Sequence, residues 1–473
     1  MRHEESDPIA ALSARALSEH LHARKLSCRE VMQAYLSRID ALNPRHNAIV
    51  SLQPRHALLA QADARDAQLA RGESMGWMHG FPMAIKDMAA TAGIRSTSGS
   101  PLLAEHVPGE DGIMVARMKA AGGIVIGKTN TPEFGLGSHT YNTVFGVTRN
   151  AFDLSKSAGG SSGGAAVSLA LHLQPVADGS DSMGSLRNPA AFNNVFGFRP
   201  SPGRVPHGPV GDQFVSQFGT EGPMGRSVAD VAMLLSVQAG YDARAPLSIA
   251  ESGEAFARPL ASSVQGLRIG WLGDLRGYLA VEPGILDLCE AGLQRLAALG
   301  CIVEPAALGY PPEKVWQTWL TWRHWLVAGR VEPYFSDPLQ RERLKPEARW
   351  EAEQGARLTA ADIFAASLDR TAYYRHLLTL FERYDFLALP TAQAWPFNAE
   401  WDWPKSIDGR AMDTYHRWME VVIYATLGGL QAISVPVGFG AAGLPMGMQL
   451  IGKPQADLAV LRLAYAHENG SQE

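Results

Sequence analysis

The sequence predicts an α/β protein, and two stretches carry most of that expectation. Gly266-Leu267-Arg268-Ile269-Gly270-Trp271 reads as a strand, Ile285 to Leu299 as a helix and Cys301-Ile302-Val303 as the next strand, which together make one strand-helix-strand unit. Upstream, a helix from Asp111 to Ala121 feeds the apolar strand Ile124-Val125-Ile126. Alternation through both halves favours one architecture over separate all-α and all-β parts. A chain of 473 residues, 46% of them hydrophobic, can fill a large core.

Taken in order, the chain begins with helices. Ser27 with Glu30 three residues on forms a capping box, and Val31, Tyr35, Ile39 and Leu42 make one apolar stripe, so a helix starts here and should end at Asn43-Pro44. A second helix spans roughly Arg55 to Ala70 and precedes the apolar run Phe81-Pro82-Met83-Ala84-Ile85, a strand that ends on Lys86. Trp316, Trp319, Trp322 and Trp325 recur at helical spacing, which reads as two faces of a core helix or as an aromatic wall beside a substrate. Near the C-terminus no charged residue occurs between Val421 and Gly452. Glycines and prolines interrupt that stretch, so Ile433-Ser434-Val435 and Met448-Gln449-Leu450-Ile451 read as buried strands and no membrane span is expected.

Composition narrows the function classes. A net charge of −5 and no basic run give no general attraction to nucleic acid. Cys28, Cys289 and Cys301 are far apart and outside metal-ligand spacing, so neither a disulfide framework nor a zinc site is expected. The opening M-R-H-E-E-S-D-P carries acids where an export signal would need an apolar core, and the expected compartment is the cytoplasm.

The chemistry concentrates between Ser157 and Pro189, where two serine-bearing glycine loops flank a short helix (Ala165 to Leu173) and a strand. The first loop is Gly159-Gly160-Ser161-Ser162-Gly163-Gly164. The second holds Ser185, and the consecutive N–H groups of Ser182, Met183, Gly184 and Ser185 are the kind of donor set that stabilises an oxyanion. A serine nucleophile needs a base, and no histidine lies in either loop. Lys86, at the end of a rigid strand, is the other candidate. Two patterns compete. Gly122 to Thr129 matches the phosphate loop G-x-x-x-x-G-K-T, but its middle residues are themselves strand-forming. Gly159 to Gly163 and Gly160 to Gly164 match the nucleophile elbow G-x-S-x-G, but the polar residues before them do not make the required strand.

G-F-P-M-A-I-K-D around Lys86, G-G-S-S-G-G around Ser161 and D-S-M-G-S-L-R around Ser185 resemble, in order and separation, the amidase signature family. The resemblance runs from the N-terminal helices to about Val237 and again from about Phe386 to Glu468. It implies a large mixed β-sheet covered by helices on both faces, formed by residues 1–473 as a single amidase domain, with 240–385 as a variable, substrate-shaping region inside it. It also implies a Ser185 nucleophile, Ser161 as proton relay behind a cis Gly160–Ser161 peptide, and Lys86 as a base made neutral by burial. Gly160 and Met183 would border the substrate, while Asp181 and Arg187 would fix the loop and Ser162 would bond only locally. No metal or organic cofactor is implied. The expected partner is a small-molecule amide, ester or carbamate (urethane), with a homodimer open to the chain. Alternatives are a glutamine amidotransferase subunit of the transamidosome type, a non-catalytic binding relative, and an esterase of the elbow type. Met183 departs from the family, whose loop usually has glycine there. Its φ should be negative, and its thioether should shape selectivity beside Ser185.

Overall fold

The computed structural model describes residues 7–470; residues 1–6, on which much of the expectation about export rests, lie outside them. Eight strands form a mixed sheet in the spatial order 302–305, 268–271, 386–390, 445–452, 432–439, 196–199, 220–225, 177–181. The first three are mutually parallel and every later pairing is antiparallel. Strands from the variable region thus continue the same sheet as those that carry the motifs.

Side-chain alternation assigns its two faces. On the strand Pro445–Gly452, a Cβ at Gly447 would meet Ala191, whereas one at Gly452 would meet Val460. The helix Arg187–Phe192 therefore covers one face and Asp457–Asn469 the other, since residues of opposite parity point to opposite sides. Helices on both faces bury the apolar strands of the charge-free C-terminal stretch, and no described helix is long and apolar enough to cross a membrane.

Lys86 does not belong to the large sheet. Its strand, Pro82–Lys86, pairs parallel with Ile124–Thr129 in a smaller three-stranded sheet completed by Ile49–Val50. The free edge of Pro82–Lys86 faces the edge strand Ala177–Asp181 of the large sheet, and side chains bridge the gap. Gln174 Oε1 accepts from the Ala84 N–H at 2.7 Å, and the Asp178 carboxylate accepts from the Lys86 N–H at 3.1 and 3.2 Å. Edge donors that would otherwise be buried without partners are satisfied, and the strand end is held against the second loop.

Two boundaries differ from expectation. The first long helix runs Cys28–His46, through Pro44, and closes at Asn47 in a left-handed conformation. Proline there loses only one bond of the last turn, while the Asn43 side chain accepts from the N–H groups of Ala48 and Ile49 and so carries the turn outward. Residues Ile124–Thr129 are one continuous strand, with Lys128 Nζ donating to Ala89 O at 2.6 Å and Thr91 Oγ1 at 2.7 Å, so the phosphate-loop pattern has no loop.

Candidate active site

Three hydroxyls surround the Lys86 amine. Nζ lies 2.8 Å from Ser161 Oγ, 2.8 Å from Ser162 Oγ and 3.0 Å from Ser180 Oγ. Lys86 is 1% exposed and makes no ion pair among the described residues. Burial away from water pushes its pKa down to about 7, against the upward pull of Asp178, Asp181 and Glu221, while Arg330 adds to the depression. Dipoles rather than a contacting carboxylate hold this lysine, so its neutral form is accessible near neutrality.

Ser162 and Ser180 correct the sequence reading. Ser162 does not bond only within its own loop, because its hydroxyl is as close to Nζ as that of Ser161. Ser180 escapes the sequence motifs altogether. Its one signal is its place immediately before Asp181 on the strand Ala177–Asp181, which faces the Lys86 strand.

The first loop is clamped from behind. Ser138 Oγ donates to Gly160 O at 2.6 Å and Thr140 Oγ1 to Gly159 O at 2.8 Å, and the Gly160–Ser161 peptide is cis. Gly160 packs against this clamp: a Cβ there would lie 3.0 Å from His139 N and 3.1 Å from Thr140 Oγ1. The helix Gly163–Ala170 then starts against the 124–131 segment, where a Cβ on Gly164 would stand 2.4 Å from Asn130 N and 2.5 Å from Ala48 O. Only glycine fits. No strand precedes the loop, apart from isolated bridges at Lys156 and Ser157. His139 supports the loop instead of activating a serine, with Nδ1 bonded to Ser157 Oγ at 2.7 Å and Nε2 to Ala399 O at 3.0 Å. Burial pushes its pKa down to about 4.

The second loop is folded around Asp181. Its carboxylate accepts from the N–H groups of Gly184 (2.8 Å) and Leu186 (3.3 Å) and from Arg187 Nε and Nη2 (3.0 Å each), with Arg199 Nη1 at 3.4 Å. Burial opposes the charge, but the two guanidiniums outweigh it and hold the carboxyl well below the usual range. Asp181 and Arg187 are thus the fixing pair that the sequence suggested. Gly184 must be removed from the expected oxyanion donors, because its N–H is already engaged by Asp181. The N–H groups of Ser182, Met183 and Ser185 have no partner among the described residues. The left-handed position is Gly184, at φ +78, where a Cβ would press on Val422 at 2.8 Å. Met183 is absent from the positive-φ residues, as expected, but the residue is 3% exposed and belongs to the main core.

Ser162 N–H donates to Ser185 O at 3.2 Å, stitching the loops together. The Ser185 hydroxyl has no bonding partner among the described residues, and the residue is 7% exposed. Directly across from Ser180 in the sheet register stands Glu221, with His207 Nδ1 3.4 Å from its carboxylate. Glu221 raises the pKa of His207. Nothing in the sequence linked Glu221 to Lys86, since its strand register with Ser180 brings it there. The tryptophan helix, Pro312–Phe335, splits its roles: Trp316 and Trp319 are fully buried against His416, while Trp322 and Trp325 border a cavity.

A buried lysine amine thus lies against the hydroxyl of a cis-serine, in a loop bonded to a second, glycine-bounded serine loop. Residues 30–461 match the family model described as Amidase, and the chain belongs to that family. It is 33% identical over 467 residues to the acylamidase of Rhodococcus erythropolis, covering 96% of this chain and 94% of that protein. It is 34% identical over 483 residues to a glutamyl-tRNA(Gln) amidotransferase subunit of Symbiobacterium thermophilum, with 97% and 96% covered. Among solved structures, a bacterial aryl acylamidase of the amidase signature family superposes with a TM-score of 0.91 at 31% identity, covering 98% of this chain and 97% of that one.

Proposed function

We propose that this protein hydrolyses the C–N bond of a small carboxamide through an acyl-enzyme on Ser185. The observation that carries the reading is the 2.8 Å contact between Ser161 Oγ and a buried Lys86 amine whose pKa lies at about 7. Neutral Lys86 accepts the Ser161 proton as Ser161 accepts that of Ser185, and Ser185 Oγ attacks the carbonyl carbon. The oxyanion that forms is met by unpartnered N–H groups of the 182–185 loop. As the C–N bond breaks, the proton passes back through Ser161 to the departing amine nitrogen. Water then attacks the acyl-enzyme by the same relay and releases the acid. Esters and carbamates present the same carbonyl to the same groups, so both belong to the proposed substrate range. The similarity to an acylamidase along nearly the whole chain supports the amide. Three buried free cysteines support residence in the cytoplasm, a reducing compartment.

The amidotransferase similarity supports a second reading, in which the chain releases ammonia from glutamine for partner subunits. Purified alone and assayed on aryl amides, primary amides, esters and carbamates, the chain is expected to turn over at least one class, and Ser185→Ala to turn over none. Activity on glutamine only when partner proteins are added would replace the first reading by the second.

A further inference from the structure

One cavity of the fold is lined by none of Lys86, Ser161 and Ser185. It measures about 950 Å³ and lies between the 214–217 segment, the helix Ala360–Arg383 and the outer half of the tryptophan helix. Phe214, Trp322, Trp325, Ile363, Phe364 and Tyr374 give its wall an apolar part, beside polar residues such as Gln217 and Thr371. Phe214 and Phe364 are 66% and 68% exposed, so the mouth is unusually apolar. Trp322 packs on Phe218 at 5.6 Å, and a Cβ on the adjoining Gly219 would lie 3.0 Å from Ser182 Oγ. Phe218 and Trp322 therefore stand between the cavity and the Ser182–Ser185 loop.

One charged residue lines this cavity among the described residues, and it is Arg370. Its guanidinium lies over the rings of Phe218 (4.6 Å) and Trp322 (5.7 Å), and Nε donates to Leu427 O at 2.9 Å. Neither Nη has a bonding partner, and the group has no ion pair among the described residues. Neighbouring acids are committed elsewhere, Asp369 to Lys314 and Asp362 to the capping box with Thr359. Behind it, the single carboxylate of Asp181 serves both Arg187 and Arg199, and Arg199 keeps Nε and Nη2 buried without partners. An arginine fork with free Nη groups, fixed by aromatic rings and backed by excess positive charge, is built to meet a carboxylate.

We propose that this cavity is a second binding site, for a small monocarboxylate with an aromatic or branched apolar body. The apolar walls take the body, and the two Arg370 Nη groups take the carboxylate. The site is independent of the chemistry at Ser185. Its ligand class nevertheless includes the acids that amide hydrolysis releases, so a product could dwell one aromatic layer from the loop that forms it.

The test uses the full chain carrying Ser185→Ala, so that no turnover intrudes, titrated with phenylbutyrate and with the neutral phenylbutanol while tryptophan fluorescence is followed. The acid is expected to bind about tenfold or more tightly than the alcohol, the worth of one charged hydrogen-bond pair. Arg370→Gln should abolish that preference, and Ser367→Glu, which sets a carboxylate one turn before Arg370 on the cavity wall, should do the same without removing the arginine's packing. Phe364→Ala should weaken both ligands. Equal affinity for acid and alcohol, an acid preference that survives both Arg370→Gln and Ser367→Glu, or no saturable binding of either probe would overturn the proposal.

Discussion

Lys86 Nζ and Ser161 Oγ stand 2.8 Å apart, and among the described residues no carboxylate is bonded to either. That separates this pair from a serine–histidine–aspartate arrangement, in which an acid orients the base. Burial, chiefly, brings the amine to a pKa at which it can both accept a proton and give it back. The pH consequence follows directly. A base must be neutral to work, so activity is present above the Lys86 pKa and lost as pH falls through it. The kcat/KM profile of an amide is expected to rise with an inflection near 7 and then level; a profile flat from pH 5 to 9, the range about two units either side of about 7, would sink the lysine base.

Asp178 should move that inflection. Its carboxylate holds the Lys86 N–H and pulls the lysine pKa upward, while its own is pushed to about 6 by burial. Asp178→Asn keeps an acceptor for the N–H and removes the charge, so the inflection should shift to lower pH with the plateau rate largely kept. A lower plateau with an unmoved inflection would make Asp178 purely a structural bridge.

Ser185→Ala removes a hydroxyl that bonds to none of the described residues. Turnover should vanish, while the melting temperature stays within a degree or two, the scale of about 0.5 kcal/mol. Retention of a few per cent activity would remove Ser185 as nucleophile.

Lys86→Ala and Ser161→Ala should each lower kcat by orders of magnitude, and the double variant should be scarcely slower than either, because a relay fails when any part is missing. Additive losses would mean two independent contributions.

What the sequence could and could not reveal divides along local and non-local lines. Lys86, Ser161 and Ser185 were legible because each sits in a short motif whose glycines are forced by close contact, as Gly164 against Asn130 shows. The capping box at Ser27 was legible from Glu30 three residues on, and the buried strands near Ile433 and Leu450 from a charge-free stretch cut by glycines and prolines. The place of Ser180 and Glu221 was not, since strand register at the edge of the large sheet pairs them beside the lysine. Nor could spacing show that Lys86 sits on a separate small sheet joined by Gln174 and Asp178 side chains, or that the Gly184 N–H is spent on Asp181. Pro44 misled because helix-breaking is costly only where the lost bond has no substitute, and the Asn43 side chain supplies the next turn.

Met183 gives the last prediction, and burial changes what it should be. A side chain projecting into the acyl or leaving-group space would make Met183→Gly re-rank substrates in favour of bulkier ones. The residue is instead buried within the core, with the left-handed turn taken by Gly184. Removing the Met183 side chain leaves a void and frees a backbone that carries one of the three unpartnered N–H groups of the loop. The loss should be about 2–5 kcal/mol of stability, as for other buried methionines cut back. Since a loosened N–H serves every carbonyl alike, rates on aryl amides, esters and carbamates should all fall by one common factor. Met183→Leu, which keeps volume and the N–H, should restore both stability and rate. A change in substrate ranking with Met183→Gly, undiminished in Met183→Leu, would return the side chain to a role in selectivity.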